Sequence, residues 1–355
     1  MPVPDPVGAL SYAEAGVDIE AGERAVARIR PLAAATARPE VIGTIGGFGG
    51  CFAVPAGYRQ PVLVATTDGV GTKMQVARAL GRFGTIGVDL VAMCVDDLVC
   101  AGAEPLFLLD YLAVGRLDPD QVEQIVSGIA DGCRQAGCTL LGGEMAEHPG
   151  VLADGDVDVA GFAVGVVEAD RRLGPEQVRA GDVLVGLLSP GLRSNGYSLA
   201  RRVLLGGGDE GLGGPAWPGA SRTLGDELLV PSVIYAPAVM ELLQVVAPGV
   251  VHGIAHVTGG GIPGNLVRIV PADLDAVVDV QRWEVPRIFA EIRRRGPVTD
   301  DEMAAVFNLG LGMVLAVAPD VAETAVASLA GSGHRAAVVG HVAEGTGQVQ
   351  IRGRW

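Results

Sequence analysis

The stretch Asp68-Gly-Val-Gly-Thr-Lys73 directly follows residues 61–67, an apolar segment rich in β-branched side chains that predicts a buried strand. A carboxylate at the end of such a strand lies where sheet proteins place the groups that face a ligand. The glycines let the backbone approach that ligand closely, and Thr72 and Lys73 add a hydroxyl and a cation. The stretch therefore predicts a site for a metal ion and phosphate oxygens, although its spacing is not that of a P-loop. The alternative is a glycine turn with a surface salt bridge.

The composition limits the classes of partner. With 355 residues, the chain has the length of two domains of roughly 100–200 residues each. Its 41 acidic and 26 basic residues give a formal net charge of −15, which leaves no basic surface for a nucleic acid. Lys73 is the only lysine, and all other basic residues are arginines. This usage favours a specific need for an ammonium group at position 73, with chance as the alternative.

The N-terminus and the apolar runs predict a cytoplasmic protein without a membrane segment. Residues 1–6 have no basic region and no apolar signal core. Residues 303–318 form a long apolar run, but they contain Asn308 and glycines and fall short of the ~20 residues that a spanning helix needs. The five cysteines include no CxxC pair, which is typical of a reducing compartment.

Strands and helices alternate along the chain, which predicts an α/β protein with mixed sheets and helices packed on them. A polar segment with Pro175 predicts a boundary between an N-terminal domain, residues 1–174, and a C-terminal domain, residues 175–355. In the first domain we predict strands at 61–67, 105–114, 138–141 and 157–167 and helices at 19–32, 85–101 and 118–136. In the second we predict strands at 182–188, 250–256, 275–280 and 312–317 and helices at 195–205, at 235–246 and after the glycines that end at 261.

Three aspartates lie on the predicted helix 85–101, which is apolar almost all round and therefore buried. Buried carboxylates are costly unless they are paired, hydrogen-bonded or bound to a metal, and no lysine or arginine lies on this helix. Oxygen ligands suit Mg²⁺. We therefore predict that Asp97 and Asp68 bind a metal, that Asp89 has a structural role, and that Glu144, which follows two glycines, is a further metal candidate. Helix capping or a distant arginine is the alternative.

Three further segments have the composition of anion sites. Gly46-Gly-Phe-Gly-Gly50 can cradle phosphate with backbone N–H groups, or be a flexible turn. Ser194-Asn-Gly-Tyr-Ser198 can cap a helix and bind an anion at its N-terminus. His256-Val-Thr-Gly-Gly-Gly261 precedes a helix and favours a phosphate-binding turn over the dinucleotide fingerprint that its glycines also fit.

Many motifs in order resemble one family. They are Ser11-Tyr-Ala-Glu-Ala-Gly-Val-Asp-Ile19, Arg38-Pro-Glu-Val41, Gly46-Gly-Phe-Gly49, Thr67-Asp-Gly-Val-Gly-Thr-Lys73, Asp89-Leu-Val-Ala-Met-Cys-Val-Asp-Asp-Leu98, Gly102-Ala-Glu-Pro-Leu-Phe107, Gly142-Gly-Glu144, Asp158-Val-Ala-Gly-Phe162, Ser194-Asn-Gly-Tyr-Ser198, His256-Val-Thr-Gly-Gly-Gly261, Phe307-Asn308 and Gly312-Met313. The chain resembles the phosphoribosylformylglycinamidine cyclo-ligases, also called aminoimidazole ribonucleotide synthetases, from about residue 11 to residue 340.

The resemblance implies a fold and a reaction. It implies two α/β halves, with the N-terminal halves forming a shared barrel in a homodimer. It also implies that ATP and Mg²⁺ bind in the N-terminal half near the dimer interface. The implied substrate is formylglycinamidine ribonucleotide, whose formyl amide oxygen is phosphorylated before the ring nitrogen attacks, phosphate leaves and the imidazole closes. This is phosphoryl transfer, in which positioning and charge neutralisation dominate.

The resemblance also assigns residues. The implied metal ligands are Asp68, Asp97 and Glu144; the catalytic residues are Lys73, Asp68 and His256; the ATP and phosphate contacts are Gly46, Gly47, Phe48, Gly49, Gly69, Thr72 and, on a lid, Asp18; the substrate contacts are Ser194, Asn195, Thr258, Gly259 and Gly260. Two positions depart from the family pattern. Arg193 stands where histidine is frequent, which puts a catalytic histidine there in doubt, and Met145 stands where threonine is common.

Related ATP-using enzymes and a non-catalytic protein are the alternatives. Selenophosphate synthetases use a reactive cysteine in a glycine-rich loop, and Cys51 follows such a loop here. Thiamine-phosphate kinases lack the Gly-Val-Gly-Thr-Lys context, and the hydrogenase-maturation relative needs a C-terminal cysteine, whereas this chain ends at Trp355. A nucleotide-binding scaffold would have lost the acidic residues, but Asp68 and Asp97 are present.

Overall fold

The computed structural model of the protein describes residues 12, 15–44, 46–206 and 208–355. Residues 11, 13 and 14 of the motif that begins at Ser11 therefore lie outside the described residues. The elements of the first half are α1 (Ile19–Ala34), β1 (Val41–Ile42), β2 (Cys51–Phe52), β3 (Pro61–Gly69), α2 (Lys73–Leu80), α3 (Ile86–Cys100), β4 (Glu104–Val114), α4 (Pro119–Ala136), β5 (Thr139–Glu147) and β6 (Val157–Glu168). Those of the second half are β7 (Val183–Leu188), α5 (Tyr197–Leu205), α6 (Leu224–Leu228), α7 (Ala236–Val245), β8 (Val251–His256), α8 (Gly261–Leu266), β9 (Leu274–Asp279), α9 (Arg287–Arg295), α10 (Asp300–Val306), β10 (Leu311–Val317), α11 (Ala322–Gly331), β11 (Ala336–Glu344) and β12 (Val349–Arg352).

The first half is built on a four-stranded mixed sheet with the strand order β3-β6-β4-β5. β6 pairs antiparallel with both β3 and β4, and β4 pairs parallel with β5. The parallel pair is joined by helix α4, whose first residue is Pro119 after the capping Asp118. Gly137 ends α4 in the left-handed conformation that glycine adopts without strain.

Helix α3 fills the inner face of this sheet. Apart from its aspartates it is almost entirely apolar, and most of its residues are buried. Gly87 lies so close to α4 that a Cβ atom there would be 2.0 Å from the backbone nitrogen of Ile129. The absence of a side chain at residue 87 therefore sets the close approach of the two helices.

The outer face of the same sheet carries large apolar side chains in solvent. Leu63, Phe162 and Tyr111 are 59%, 42% and 40% exposed. They lie on three neighbouring strands, where Phe162 pairs across the ladder with Thr67 on one side and Leu109 on the other. A contiguous apolar face of this kind is typical of a protein–protein contact.

The second half is built on a six-stranded sheet with the order β12-β9-β11-β7-β10-β8. All its pairs are antiparallel except β12 with β9. The strands β7 and β10 are nearly continuous apolar runs, as expected for strands that are covered on both faces, and the edge strand β8 is buried along its whole length. Among the described residues, no helix combines the length and the apolar character that crossing a bilayer requires.

Helix α3 also joins the two halves, through the buried polar contacts of Asp89 and Asp96. Asp89 pairs with Lys73 at 2.6 Å and accepts hydrogen bonds from the backbone and hydroxyl of Ser232. Seven residues later, Asp96 pairs with Arg193 at 2.9 Å. These contacts hold the loops that follow β7 and α6 against α3, which brings residues from both halves to one place.

The mixed α/β architecture confirms the predicted fold class, but several element predictions were wrong or incomplete. β5 does not end at residue 141; it continues through the glycines to Glu147, because those residues pair with β4. Helix α2 begins at Lys73, where the sequence predicted only the end of a loop. The sequence also did not predict α9, α10, α11, β11 and β12.

Candidate functional site

Two carboxylates and an imidazole from different elements meet at the end of β3. Asp68 is the penultimate residue of that strand and accepts a hydrogen bond from the backbone of Gly69 at 2.7 Å. Burial raises the pKa of Asp68, and the nearby charge of Asp97 raises it further, against the opposing effects of Gly69 and His256. Asp97 in turn accepts a hydrogen bond from Nδ1 of His256 at 2.8 Å. Two neighbouring carboxylates are oxygen donors that a divalent cation such as Mg²⁺ can use.

The loop after Asp68 reaches the second half. Gly71 has a φ of 65°, which lets the chain turn from β3 into α2. The hydroxyl of Thr72 lies 3.0 Å from that of Ser198 in the first turn of α5. The structure therefore brings Thr72 beside Ser198, at the end of the segment 194–198.

Lys73 does not face this loop. Its ammonium group is fully buried and lies 2.6 Å from Asp89, 2.7 Å from the carbonyl of Val230 and 3.2 Å from that of Arg193. These three partners use the three N–H donors of the group. Burial lowers the pKa of Lys73, against the opposing effect of Asp89. In this conformation the predicted contact of Lys73 with phosphate is therefore wrong. The ammonium group instead connects α3 to the second half.

The predicted substrate contacts lie at two adjacent helix starts. Ser194 Oγ and Asn195 Oδ1 precede α5 and are buried without a hydrogen-bond partner among the described residues. Gly259 lies next to Asn195, since a Cβ at position 259 would be 3.7 Å from Asn195 Nδ2. Thr258 and Gly260 share this loop, in which Gly260 has a φ of 96°. These atoms can take a ligand oxygen or hydroxyl.

Asn265 fixes the loop of residues 258–260 by hydrogen bonds, and this role was not predicted from the sequence. Its side-chain nitrogen donates to the carbonyls of Gly259 and Gly261 at 3.1 and 2.8 Å, and its oxygen accepts from the hydroxyl of Thr258 at 3.2 Å. Asn265 is buried. A buried amide inside a helix that opens with glycines was the signal available in the sequence.

Arg193 was singled out only as a departure from the family pattern. It is 1% exposed and has a φ of 62°, which is unusual for a residue other than glycine. Its Nη2 lies 2.9 Å from both Asp96 and Nε2 of His256, and its Nη1 donates to the carbonyl of Val233. The guanidinium group therefore lies behind His256 and is turned away from the ligand side.

Glu144 lies apart from the other predicted metal ligands. Asp68, Gly161, Asp110 and Gly143 form one row across the sheet, so Gly143 is three strands, or about 14 Å, from Asp68. Glu144 follows Gly143 and points to the opposite face of the sheet. The prediction that one chain combines Glu144 with Asp68 and Asp97 is thereby corrected. Within the described part of the chain, no three metal-binding side chains form a cluster.

The glycine-rich loop and Asp18 lie on the same side as Glu144. Gly50, at the end of the loop Gly46, Gly47, Phe48 and Gly49, packs against Leu141 of β5, and Phe48 is fully exposed. Asp18 caps α1 through Ala21, and its backbone donates to Glu147 of β5 at 2.6 Å. The predicted site residues therefore fall into two groups at opposite edges of the four-stranded sheet: the Asp68 group at β3 and the glycine-loop group at β5.

Comparison with known families shows which family the chain belongs to. Residues 53–167 match the family model described as AIR synthase related protein, N-terminal domain, and residues 179–352 match its C-terminal domain. The phosphoribosylformylglycinamidine cyclo-ligase of Myxococcus xanthus is 54% identical over 340 residues, which cover 95% of this chain and 97% of the relative. The chain belongs to the phosphoribosylformylglycinamidine cyclo-ligase family. Membership in this family confirms the resemblance predicted from the sequence motifs.

Other cyclo-ligases and more distant folds extend the comparison. The cyclo-ligase of Trichlorobacter lovleyi is 50% identical over 333 residues, covering 94% of each chain. A thiamine-monophosphate kinase from Stenotrophomonas maltophilia superposes with a TM-score of 0.68 at 20% identity, covering 93% of this chain and 96% of the kinase. A hydrogenase maturation protein HypE in complex with ATP gives a TM-score of 0.64, also at 20% identity, covering 93% and 90%. These two structures show a shared two-domain fold.

Proposed function

We propose that this protein closes the imidazole ring of aminoimidazole ribonucleotide from formylglycinamidine ribonucleotide, at the expense of ATP. Cyclo-ligases that are about half identical over nearly the whole chain support this activity. The observation that carries the proposal is the pair of carboxylates, Asp68 and Asp97, at His256, which leads into the loop whose Gly259 lies next to Asn195 with its unpartnered side-chain oxygen. This arrangement offers one place for a cation with phosphates and another for a polar substrate.

The reaction has two steps. The γ-phosphoryl group of ATP passes to the formyl amide oxygen of the substrate, which gives ADP and an activated carbon. The substrate nitrogen that becomes part of the ring then attacks that carbon, the C–O bond breaks, inorganic phosphate leaves and a proton is lost. Because the transferred group carries its charge on oxygen, the protein contributes mainly by positioning and by neutralising charge.

Asp68 and Asp97 would hold Mg²⁺. The donor set fits, since Mg²⁺ usually takes one or two carboxylates and completes its shell with water and substrate phosphates. When bound, the ion neutralises the negative charge on the phosphates that it contacts. His256 holds one oxygen of Asp97 and so leaves the other oxygen for the ion.

The second-half loops would hold the ribonucleotide. Helix α5 presents unpaired backbone N–H groups beside Ser194 and Asn195, and helix N-termini favour anions. Thr258, Gly259 and Gly260 form the facing loop, fixed by Asn265. We assign the substrate phosphate to this cleft and the nucleotide to the side of Gly69 and Thr72.

The active form would be a homodimer that pairs the exposed faces of two N-terminal sheets. The apolar face of Leu63, Tyr111 and Phe162 supplies a contact surface. Such pairing would also explain why the Asp68 group and the glycine-loop group lie at opposite edges of one sheet. One subunit would then supply Asp68 and Asp97, and its partner the phosphate-binding glycine loop, Glu144 and Asp18.

The experiment measures ADP, phosphate and imidazole product from purified protein with Mg-ATP, with and without formylglycinamidine ribonucleotide. One ADP per imidazole, released only with that substrate, supports the proposal. Asp97→Asn should abolish this turnover because it removes a metal-binding charge. Exposed Asp209→Asn is the matched control and should keep it. ADP release that does not depend on the substrate would favour a kinase-like activity instead.

A further inference from the structure

A series of side-chain hydrogen bonds connects two neighbouring aspartates of α3, Asp96 and Asp97. Asp96 accepts a hydrogen bond from Nη2 of Arg193, the same Nη2 lies 2.9 Å from Nε2 of His256, and Nδ1 of His256 lies 2.8 Å from Asp97. The other oxygen of Asp96 accepts hydrogen bonds from the backbone of Tyr235 and Ala236, at the start of α7. Every link except Asp97 is buried.

The contacts fix the position of the proton on His256. A guanidinium group has only N–H donors and cannot accept a hydrogen bond. Nε2 of His256 therefore accepts from Arg193, and the ring carries its proton on Nδ1, which donates to Asp97 Oδ1. Both ring nitrogens are thus occupied and the side chain is 1% exposed. In this state His256 has no free nitrogen with which to exchange a proton with a substrate.

We propose that Arg193 is a positioning residue: it holds His256 with its proton on Nδ1, and His256 in turn holds Asp97 with one oxygen turned toward the cation. Asp96 and the face of the Tyr235 ring, 4.8 Å from the guanidinium carbon, hold Arg193 itself. Hydrogen-bonded partners behind a metal ligand set its orientation and basicity. The departure from the family pattern at residue 193 thus acts on the metal site through His256 instead of contacting phosphate.

The backbone at residue 193 supports a dedicated role. A φ of 62° costs a side-chain-bearing residue free energy that glycine would not lose. The same conformation directs the carbonyl of Arg193 to Lys73 and the guanidinium group to Asp96. A loop kept in this form by two buried ion pairs holds Arg193 in a fixed place relative to α3.

The test uses full-length, metal-free protein labelled with ¹⁵N in its histidine rings. The inference rests on the proposed metal site, so Asp97→Asn is measured in the same series. Arg193→Met removes the donor but leaves Asp96 as an unpaired buried charge. The double variant Asp96→Asn/Arg193→Met removes both charges with similar side-chain volumes. His256→Gln assigns the His256 signal, and His252, a buried histidine bonded to Asp182, is the internal reference for an intact fold.

We expect wild-type His256 to show the Nδ1-protonated tautomer. In the double variant the His252 signal should not change, while the Nε2 signal of His256 should shift, because Nε2 loses its hydrogen-bond donor and Asp97 alone holds the proton on Nδ1. Mn²⁺ affinity, measured by electron paramagnetic resonance with the metal alone, should fall about 10- to 100-fold. An unchanged Nε2 signal with unchanged Mn²⁺ affinity in the double variant would overturn the positioning role. If Asp97→Asn also binds Mn²⁺ as the wild type does, the proposed metal site itself is wrong.

Discussion

Lys73, the single lysine of the sequence, shows what residue-level chemistry can and cannot predict. Its rarity indicated a specific need for an ammonium group, and the structure places that group in a buried ion pair with Asp89. The sequence could not show this partner, because Asp89 lies on another element and each residue alone has several possible partners. Asp89, which has no basic neighbour on its own helix, and Lys73, the single lysine, are the two partners of one ion pair.

Replacement of Lys73 by methionine should destabilise the protein strongly. Removing one member of a buried ion pair leaves a buried charge without compensation, which costs about 3–5 kcal/mol of the free energy of unfolding. Urea unfolding measures this loss. The double variant Lys73→Met/Asp89→Asn should recover most of it. Normal stability of the single variant together with a raised KM for ATP would instead show that Lys73 meets phosphate during turnover.

Asp110 should make stability depend on pH. Burial raises its pKa to about 7, so the folded protein keeps a proton that the unfolded chain loses near pH 4. The stability that this proton contributes is complete below about pH 4 and is lost as the pH rises to about 7. Asp110→Asn cannot lose the proton. Between pH 5 and pH 8 it should therefore gain on the order of 2 kcal/mol relative to wild type.

Denaturant unfolding of both proteins at the two pH values checks this expectation. The asparagine side chain of Asp110→Asn has the same shape as the aspartate and fits beside Gly143, which has no side chain to collide with it. A constant difference between the two proteins from pH 5 to pH 8 would show that Asp110 is ionised in the folded state.

At the scale of the elements, α3 was predictable and β5 was not. An almost wholly apolar run of helical length predicts a buried helix, and α3 is one. The run at 138–141 looked complete because two glycines follow it, but β5 continues because β4 offers a parallel partner. β11 and β12 also depend on pairing with a strand distant in sequence, β9, because their own segments have no strong hydrophobic pattern.

Gly87→Ala should test the close packing of α3 and α4. The added methyl group would collide with the backbone of α4, which cannot move away as a side chain can. Overpacking of this kind costs about 1–3 kcal/mol of unfolding free energy. The control is Gly22→Ala in α1, where nothing lies within 4 Å. There, alanine should stabilise the helix by roughly 0.5–1 kcal/mol, and thermal unfolding of both variants should give opposite shifts.

At the scale of the whole molecule, the site was only partly predictable. The motifs singled out Asp68, Asp97 and His256, and the structure brings these three residues together. Which residues share one site within a chain depends on strand order, and strand order placed Glu144 and the glycine loop at the far edge. The predicted domain boundary between residues 174 and 175 stays a prediction.

Phe162→Glu should disrupt the proposed homodimer. A charge at the centre of the apolar sheet face would be buried without a partner in the paired state. Sedimentation velocity should show monomer, and ring closure should be lost with it if the sites are shared between subunits. Val245→Glu, on an exposed part of α7, is the control and should stay dimeric. A dimer that survives Phe162→Glu would place the interface elsewhere.

The buried contacts between α3 and the second half limit how this protein can be recombined. Asp89 and Asp96 belong to the first half, but the groups that surround them, Ser232 and Arg193, belong to the second. A chimera that takes its second half from another cyclo-ligase keeps the Asp89–Lys73 pair, because both residues belong to the first half, but it retains Asp96 as a buried negative charge whose neutralisation the donor must supply. The stability of such a chimera should therefore depend more on the residue that the donor has at position 193 than on the overall sequence identity of the donor. Each half has its own sheet, but one half can be exchanged only if the donor preserves the buried contacts between the halves.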